Sequence, residues 1–463
     1  MKRTYSIIGL GKLGASMAAA IASKGFDVIG VDVNHQSVDL LNSGHAPIQE
    51  TGLEQLVEAN RSRLRATLDH RDAILNSDVS FVIVPTPSDE RGAFSLQYAS
   101  WAFREIGRAL REKSSYHLVV LTSTVLPGST RHGLVPILER ASGKQAGRDF
   151  GACYSPEFIA LGSVIHDFLH PDFTLVGEFD QRSGGLLQAC YADIMNDDPP
   201  CRRMSLENAE LTKIAINAYV TTKITFANML ADICEHIPGG DIDVVTDALG
   251  ADSRIGRKYL TGALGYGGPC FPRDNVALGF FARAVGTRAE LAETTEQSNR
   301  GLADKIVRQL RGLIGRGESV AVLGLAYKPN SHVIEESQGV FLAKALSKAG
   351  ARVVAYDPLA GAAARSALLY SAVVLDSVAA CLAEADVALI TTPDPEFHRL
   401  SAADFPVRPN GITVVDFWRI LRGQLSGAKH VRYVPIGCSR RDAENAAALI
   451  ALWEGIATSE TGA

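Results

Sequence analysis

Residues 265–274 read Gly-Tyr-Gly-Gly-Pro-Cys-Phe-Pro-Arg-Asp and place a soft nucleophile, Cys270, directly after a glycine pair. Thiolates attack carbonyl carbon, and cationic neighbours such as Arg273 favour the thiolate form. Asp274 adds a carboxylate four residues after the sulfur. Glycine has no side chain, so at Gly267 and Gly268 the backbone has room to approach a ligand closely. The alternative is that Cys270 is a small buried hydrophobe, the usual fate of an unpaired cysteine. The decapeptide alone leaves both readings open.

The N-terminus carries a second chemical signal. An apolar run from Tyr5 to Ile8 leads into Gly9-Leu-Gly-Lys-Leu-Gly14, and a helical pattern with Met17, Ala20 and Ile21 on one face follows. Gly9 suits a tight turn, Gly11 leaves room for a pyrophosphate, and Gly14 allows close helix–strand packing. The turn residues Gly9, Gly11, Lys12, Leu13 and Gly14 are therefore expected to hold a dinucleotide, its phosphates at the helix N-terminus. A second apolar strand, Val28 to Val31, ends in Asp32, where the ribose-binding acid belongs. Its carboxylate accepts hydrogen bonds from a ribose diol and repels a 2′-phosphate. The following Val33, Asn34, His35 and Gln36 offer no arginine, so the expected cofactor is NAD.

Those motifs need a scaffold, and the composition supplies one. The 463 residues, 46% hydrophobic and 21% charged, suffice for two or three cores of a soluble enzyme. A net charge of −5 gives no electrostatic case for nucleic acid. The seven cysteines are scattered, odd in number and without a C-x-x-C pair. That argues against a disulfide framework and a metal site, and for a reducing compartment. The opening Met-Lys-Arg is similar to a signal n-region, but its apolar run stops at Gly9. No stretch approaches the ~18 apolar residues of a membrane span. The expectation is a cytoplasmic protein without membrane contact.

Residues 1–202 alternate strand-like and helix-like segments, the pattern of a parallel α/β sheet. Val79–Val84 runs into Pro85-Thr86-Pro87, and Leu118–Leu121 into Thr122-Ser123-Thr124. Both turns fall at carboxyl ends of strands, the edge where such sheets bind ligands, which makes Thr86 and Thr124 candidate cofactor contacts. Residues 205–236 carry an uninterrupted helical pattern, more than ~40 Å long at about 1.5 Å per residue. Helical segments continue to 315, so 203–315 is expected as a helical middle domain. A second α/β unit, 316–463, repeats the first: Ser319-Val-Ala-Val-Leu-Gly324, a helix over 338–349, then Val353–Asp357. Of the glycine triplet, Gly324 alone is recognisable there. The fold class expected is α/β, with two Rossmann-like parallel-sheet domains joined by a long central helix and a small helical domain.

Taken together, Gly9–Gly14, Ser123-Thr-Val-Leu-Pro-Gly128, Ser155-Pro-Glu-Phe158, Lys213-x-x-x-Asn217, the cysteine loop and Gly324-Leu-Ala-Tyr-Lys328 resemble the UDP-glucose/GDP-mannose dehydrogenase family over the whole chain. The resemblance implies oxidation of C6 of a nucleotide-linked hexose to a carboxylate by two NAD⁺. It implies that Cys270 traps the aldehyde as a thiohemiacetal and carries the thioester. Lys213 and Asn217, one turn apart on a helix, would stabilise the oxyanion. Asp274 would orient Lys213 and a water. Glu157 would act as base for thioester hydrolysis, with Thr124 near cofactor and water. Phe158, Ala160 and Leu161 would hold the sugar diphosphate beside Glu157, Gly267 and Tyr259. Arg254 would reach substrate across a homodimer interface built on the central helix, Lys328 would come from the second α/β domain, and Arg419 would contact its nucleotide.

Two departures stand out. Many members carry a second glutamate where this chain has Leu161, and Arg-Glu-Ser where it has Glu335-Glu336-Ser337. Phe271 and the Arg-Ile-Gly segment favour UDP-glucose. The alternatives are a GDP-mannose or UDP-N-acetylhexosamine 6-dehydrogenase, a β-hydroxyacid dehydrogenase, and a non-catalytic NAD-binding protein.

Overall fold

The computed structural model describes residues 2–159, 162–314 and 318–460. They fall into two compact units, one of residues up to 216 with 280–288, the other of 217–279 with 289 onward. In the first, strands β1 (Thr4–Ile8), β2 (Asp27–Val31), β3 (Leu64–Thr67), β4 (Val79–Val82), β5 (Leu118–Leu121), β6 (Gly151–Tyr154), β7 (Thr174–Glu178) and β8 (Cys201–Ser205) form one sheet. Their spatial order is 3-2-1-4-5-6-7-8. The second holds β9 (Ser319–Leu323), β10 (Arg352–Tyr356), β11 (Val373–Val374), β12 (Val387–Ile390), β13 (Ile412–Asp416) and β14 (Val431–Pro435), in the order 11-10-9-12-13-14. The first six strands of each sheet thus share one winding, as the internal echo in the sequence predicts.

One pairing departs from a purely parallel sheet: β6 and β7 are antiparallel, and β8 then runs parallel to β7. The strands are apolar on both faces because helices cover both. Tyr5 and Ile7 pack in a core with Ala15, Leu187 and Tyr191, while Ile8 faces the opposite core with Phe103 and Leu138. β8 feeds directly into the long helix Leu206–Cys234, 29 residues and so about 44 Å. Nothing in its sequence breaks the helix: it has no internal glycine or proline.

A polar knot interrupts the first core. Ser6 and Ser80 oxygens lie 2.6 Å apart, and Ser80 meets His117 Nε2 at 2.8 Å. His117 Nδ1 lies 3.0 Å from the Ser77 carbonyl. A carbonyl only accepts, so Nδ1 carries the proton and Nε2 accepts from the Ser80 hydroxyl. Burial pushes His117 down to about 3, helped by the nearby Lys113 charge. The unfolded chain, with an ordinary imidazole, takes up a proton between about pH 6.5 and 3 that the folded chain refuses. Stability from this site is complete above pH 6.5 and falls as pH drops through that window. His117→Gln should shallow the acid side of the unfolding free energy by up to about one proton. Urea titrations from pH 7 to pH 4 measure that slope, and an unchanged slope refutes the assignment.

Candidate active site

The glycine turn has the geometry of a dinucleotide cradle. Gly9 lies at φ +102°, and its N–H donates to the Val31 carbonyl at 2.7 Å. A side chain at Gly9 would strike the Ile83 carbonyl, and one at Gly14 the Gly9 carbonyl, whereas Gly11 faces open space. The first and third glycines bring strand and helix into contact, and the second leaves the approach to the helix N-terminus open. That helix, Lys12–Ser23, has no acidic residue in its first turn to compete with a phosphate. Lys12 is exposed and Leu13 half-buried.

Asp32 closes the turn. Its Oδ2 accepts from Leu10 N–H at 2.6 Å and Oδ1 from Asn34 N–H at 2.8 Å. A carboxylate offers about four acceptor positions, so two remain for a ribose diol on this half-exposed residue. Thr86 donates to the Thr124 carbonyl at 2.8 Å, tying together the loops that follow β4 and β5. All of this sits at the point where strand order reverses, between β1 and β4. The residues present fit NAD.

Farther along the same unit, Lys213 donates to the Glu157 carbonyl at 2.6 Å and lies over the Phe158 ring at 4.6 Å. Burial pushes the Glu157 carboxyl up to about 7 against the opposing pull of the Lys213 charge. Ala160 and Leu161 lie outside the described residues. Sequence reasoning missed Glu210, one turn before Lys213 and fully buried. Its carboxylate accepts from Gly128 N–H at 2.5 Å and Thr130 N–H at 2.8 Å, fixing the segment after Thr124 to the long helix. An acid inside an apolar helical pattern was the available signal.

In the second unit Cys270 is exposed and immediately precedes the helix Phe271–Ala284. Asn217 donates to Asp274 Oδ2 at 2.6 Å, and Arg273 Nε lies 3.7 Å from Asp274 Oδ1. Tyr259, in a left-handed conformation at φ +69°, sets its ring edge-on to Phe271 at 6.5 Å. The paired glycines make a close protein contact. A side chain at Gly267 would strike the Glu336 carbonyl, and one at Gly268 would come within 2.6 Å of the Tyr327 ring. Gly268 N–H also donates to the Glu335 carbonyl at 2.9 Å. That bond uses backbone, so Glu335 in place of the usual arginine leaves it intact. Tyr327 is raised to about 12, chiefly by burial and then by the charge of Cys270.

The remaining expected residues diverge. Arg254 is exposed and paired with Asp252 at 2.6 Å, and Lys328 lies 5.8 Å from the Tyr327 ring centre. Arg419, expected to contact a nucleotide, is committed inside its own unit. It is buried, binds both oxygens of Asp243 at 2.9 Å, and donates to the carbonyls of Thr261, Gly262, Phe417 and Ile436. Those bonds occupy all five guanidinium N–H groups.

The UDP-glucose/GDP-mannose dehydrogenase family's NAD binding domain matches residues 3–195, its central domain 207–301 and its UDP binding domain 321–423. UDP-glucose 6-dehydrogenase AglM of Haloferax volcanii is 40% identical over 402 residues, 85% of this chain and 92% of that protein. The chain belongs to this family. GDP-mannose 6-dehydrogenase of Azotobacter vinelandii is 35% identical over 89% of this chain and 96% of its own. A solved UDP-glucose dehydrogenase from Pyrobaculum islandicum superposes with TM-score 0.84 at 33% identity, covering 95% of this chain and 98% of that one. The protein is accordingly an NAD-dependent oxidoreductase of the nucleotide-sugar 6-dehydrogenase type. Among the described residues, no helix is long and apolar enough to cross a membrane.

The geometry refines how cofactor preference should be reversed. Asn34 caps the next helix by accepting from Gln36 N–H at 2.9 Å, whereas Val33 is exposed. Asp32→Ser with Val33→Arg should therefore lower kcat/KM for NAD⁺ roughly 10–100-fold and raise it for NADP⁺. Unchanged preference in initial-rate assays would remove Asp32 from cofactor selection.

Proposed function

We propose that this protein is a UDP-glucose 6-dehydrogenase that forms the uronic acid through a covalent thioester on Cys270. The observation that carries the substrate is the 40% identity to a UDP-glucose 6-dehydrogenase over 92% of that relative. NAD⁺, which the Gly9–Gly14 turn and Asp32 would hold, would supply two two-electron oxidations at C6, so that one alcohol, two NAD⁺ and one water give one carboxylate, two NADH and three protons. The thiolate of Cys270 adds to the C6 aldehyde, forming the C–S bond while the carbonyl electron pair moves to oxygen. Lys213 and Asn217 donate to that oxygen, and Asp274 holds the Asn217 amide by accepting from it. After the second oxidation Glu157 takes a proton from water as it attacks the thioester. The C–S bond then breaks and the thiolate leaves with its electron pair. Phe158, Arg254, Tyr259 and Lys328 are assigned to substrate binding; Arg419, saturated by protein partners, is assigned to structure. The odd, scattered cysteines support the cytoplasm as its compartment.

The family relatives that act on GDP-mannose are nearly as similar, so substrate is tested directly. Among UDP-glucose, GDP-mannose and UDP-N-acetylglucosamine, UDP-glucose should lead in kcat/KM by about 10-fold or more, with two NADH per sugar. A GDP-mannose preference overturns the substrate; one NADH per sugar overturns the reaction.

Cys270→Ser should lower the steady-state rate by roughly 10³-fold or more. Glu157→Gln should accumulate an acyl adduct on Cys270, visible by intact-protein mass spectrometry. Because a general base must be deprotonated, thioester hydrolysis should rise with pH through about 7, the value to which Glu157 is raised. Normal turnover of Glu157→Gln without adduct assigns the base elsewhere.

A homodimer through the long helix is part of the same reading. Tyr219, Phe226, Met229 and Ile233 form one helical stripe, each about half-exposed. Beside it runs a groove of about 530 Å³ lined by Phe226, Met229, Leu291 and Ile306 among others. An apolar stripe of this kind is expected to be covered by a second copy. Phe226→Glu with Met229→Glu should halve the mass seen by light scattering, whereas a wild-type monomer would sink the interface.

A further inference from the structure

Tyr266 stands two residues before the glycine pair's end and four before Cys270, and its polar groups are taken up by three separate elements. The helix Glu290–Arg300 holds its backbone at two points: Asn299 Oδ1 accepts from Tyr266 N–H at 3.0 Å, and Asn299 Nδ2 donates to the Tyr266 carbonyl at 3.0 Å. Gln338, first residue of the helix Gln338–Lys348 in the second α/β half, donates to that same carbonyl at 3.0 Å. The phenol donates to Glu296 at 2.9 Å and accepts from Asn275 at 3.0 Å. Asn275 neighbours Asp274 and donates also to Thr221 of the long helix at 3.0 Å, and Arg300 pairs with Glu296 at 2.6 Å. Tyr266, Asn275, Glu296, Asn299 and Gln338 are all buried. The clamp even excludes a side chain next door, since a Cβ at Gly265 would collide with Asn299 Oδ1.

So many directed bonds in a buried site are costly to break and hold the loop in place. A buried network of this kind fixes position more than it adds stability. We infer that Asn299, Gln338 and Glu296 are positioning residues that act through Tyr266 to set where the Cys270 sulfur stands, with Gln338 bringing the second α/β half into that task. The inference rests on the reading of Cys270 as the covalent centre. The first oxidation needs no thiol; capture of the aldehyde does. A displaced sulfur therefore slows the second oxidation selectively, and the aldehyde escapes.

The test compares Gln338→Met, Asn299→Leu and Tyr266→Phe in the full chain, with hydroxylamine present to trap aldehyde as the oxime. Each variant should release NADH at fewer than two per sugar consumed and give at least about a 5-fold rise in oxime by mass spectrometry, with KM for NAD⁺ unchanged. Hydrogen exchange of the peptide spanning 264–270 should quicken without cofactor or substrate. Mere destabilisation lowers both oxidations together and keeps the ratio at two. Gln338→Met, which removes a single hydrogen bond, guards against loss of the fold. Should all folded variants hold the ratio at two while Cys270→Ser forms no uronic acid, the positioning role is overturned and the covalent role stands. Near-normal turnover of Cys270→Ser overturns the covalent role itself, and this inference with it.

Discussion

A helix that must begin within touching distance of the carbonyl just past a strand's end cannot carry a side chain at the contact, and much of this structure follows from that exclusion. It occurs twice. Gly14 passes the Gly9 carbonyl, and Gly339 passes the Gly324 carbonyl in the same way. Gly324, at φ +116°, donates to the Tyr356 carbonyl as Gly9 does to Val31. Asp357, like Asp32, accepts from the backbone of the turn it follows, here Leu325 and Ala326 N–H at 2.7 and 2.8 Å. The second half thus keeps the packing contact of a dinucleotide fold.

It does not keep the dinucleotide site. Residues 325–337 lie between strand and helix, and Ser337 caps the helix by accepting from Val340 N–H. Val340 N–H, in the first turn of that helix, and Leu325 and Ala326 N–H, in the turn after the strand, are thereby already engaged. Asp357 is buried and accepts four backbone N–H groups, including Leu359 at 2.9 Å and Ala360 at 2.7 Å, so nothing remains for a ribose. The inserted segment instead carries Tyr327 and the Glu335–Glu336 backbone against the cysteine loop. One architectural constraint is retained while the chemistry at the strand ends is redirected, which is how a fold and its function separate.

Local patterns made most of the fold legible. The glycine triplet, the strand ends at Asp32 and Asp357, the uninterrupted helix after Ser205 and the repeated strand–turn at Ser319–Gly324 all depend on neighbours in sequence. What stayed hidden depends on partners far along the chain. Gly339 was missed because the insertion moves it fifteen residues past Gly324. The antiparallel β6–β7 pair has no local signature, since strands of either sense are apolar when both faces are covered. Gly267 and Gly268 were visible as a close approach, but whether to ligand or to Tyr327 is a tertiary choice. Arg419 was expected at a nucleotide, because Asp243 and the four carbonyls around it lie far along the chain or show no signal in sequence.

Two glutamates show why perturbation alone does not identify a base. Glu157 and Glu210 are both raised to about 7, and in both burial is the leading cause. Their surroundings differ in kind. Glu210 is sealed from solvent, and its oxygens hold the N–H groups of Gly128 and Thr130. Its counter-forces are hydrogen bonds, the signature of a group fixing structure. Glu157 is partly exposed, and the force opposing its burial is the charge of Lys213, whose ammonium holds the Glu157 carbonyl. A carboxylate raised to near neutrality suits proton transfer at physiological pH. The same shift thus arises in two settings: Glu210 holds backbone in place, Glu157 fits the role of base proposed for it, and the hydrogen-bond partners tell them apart.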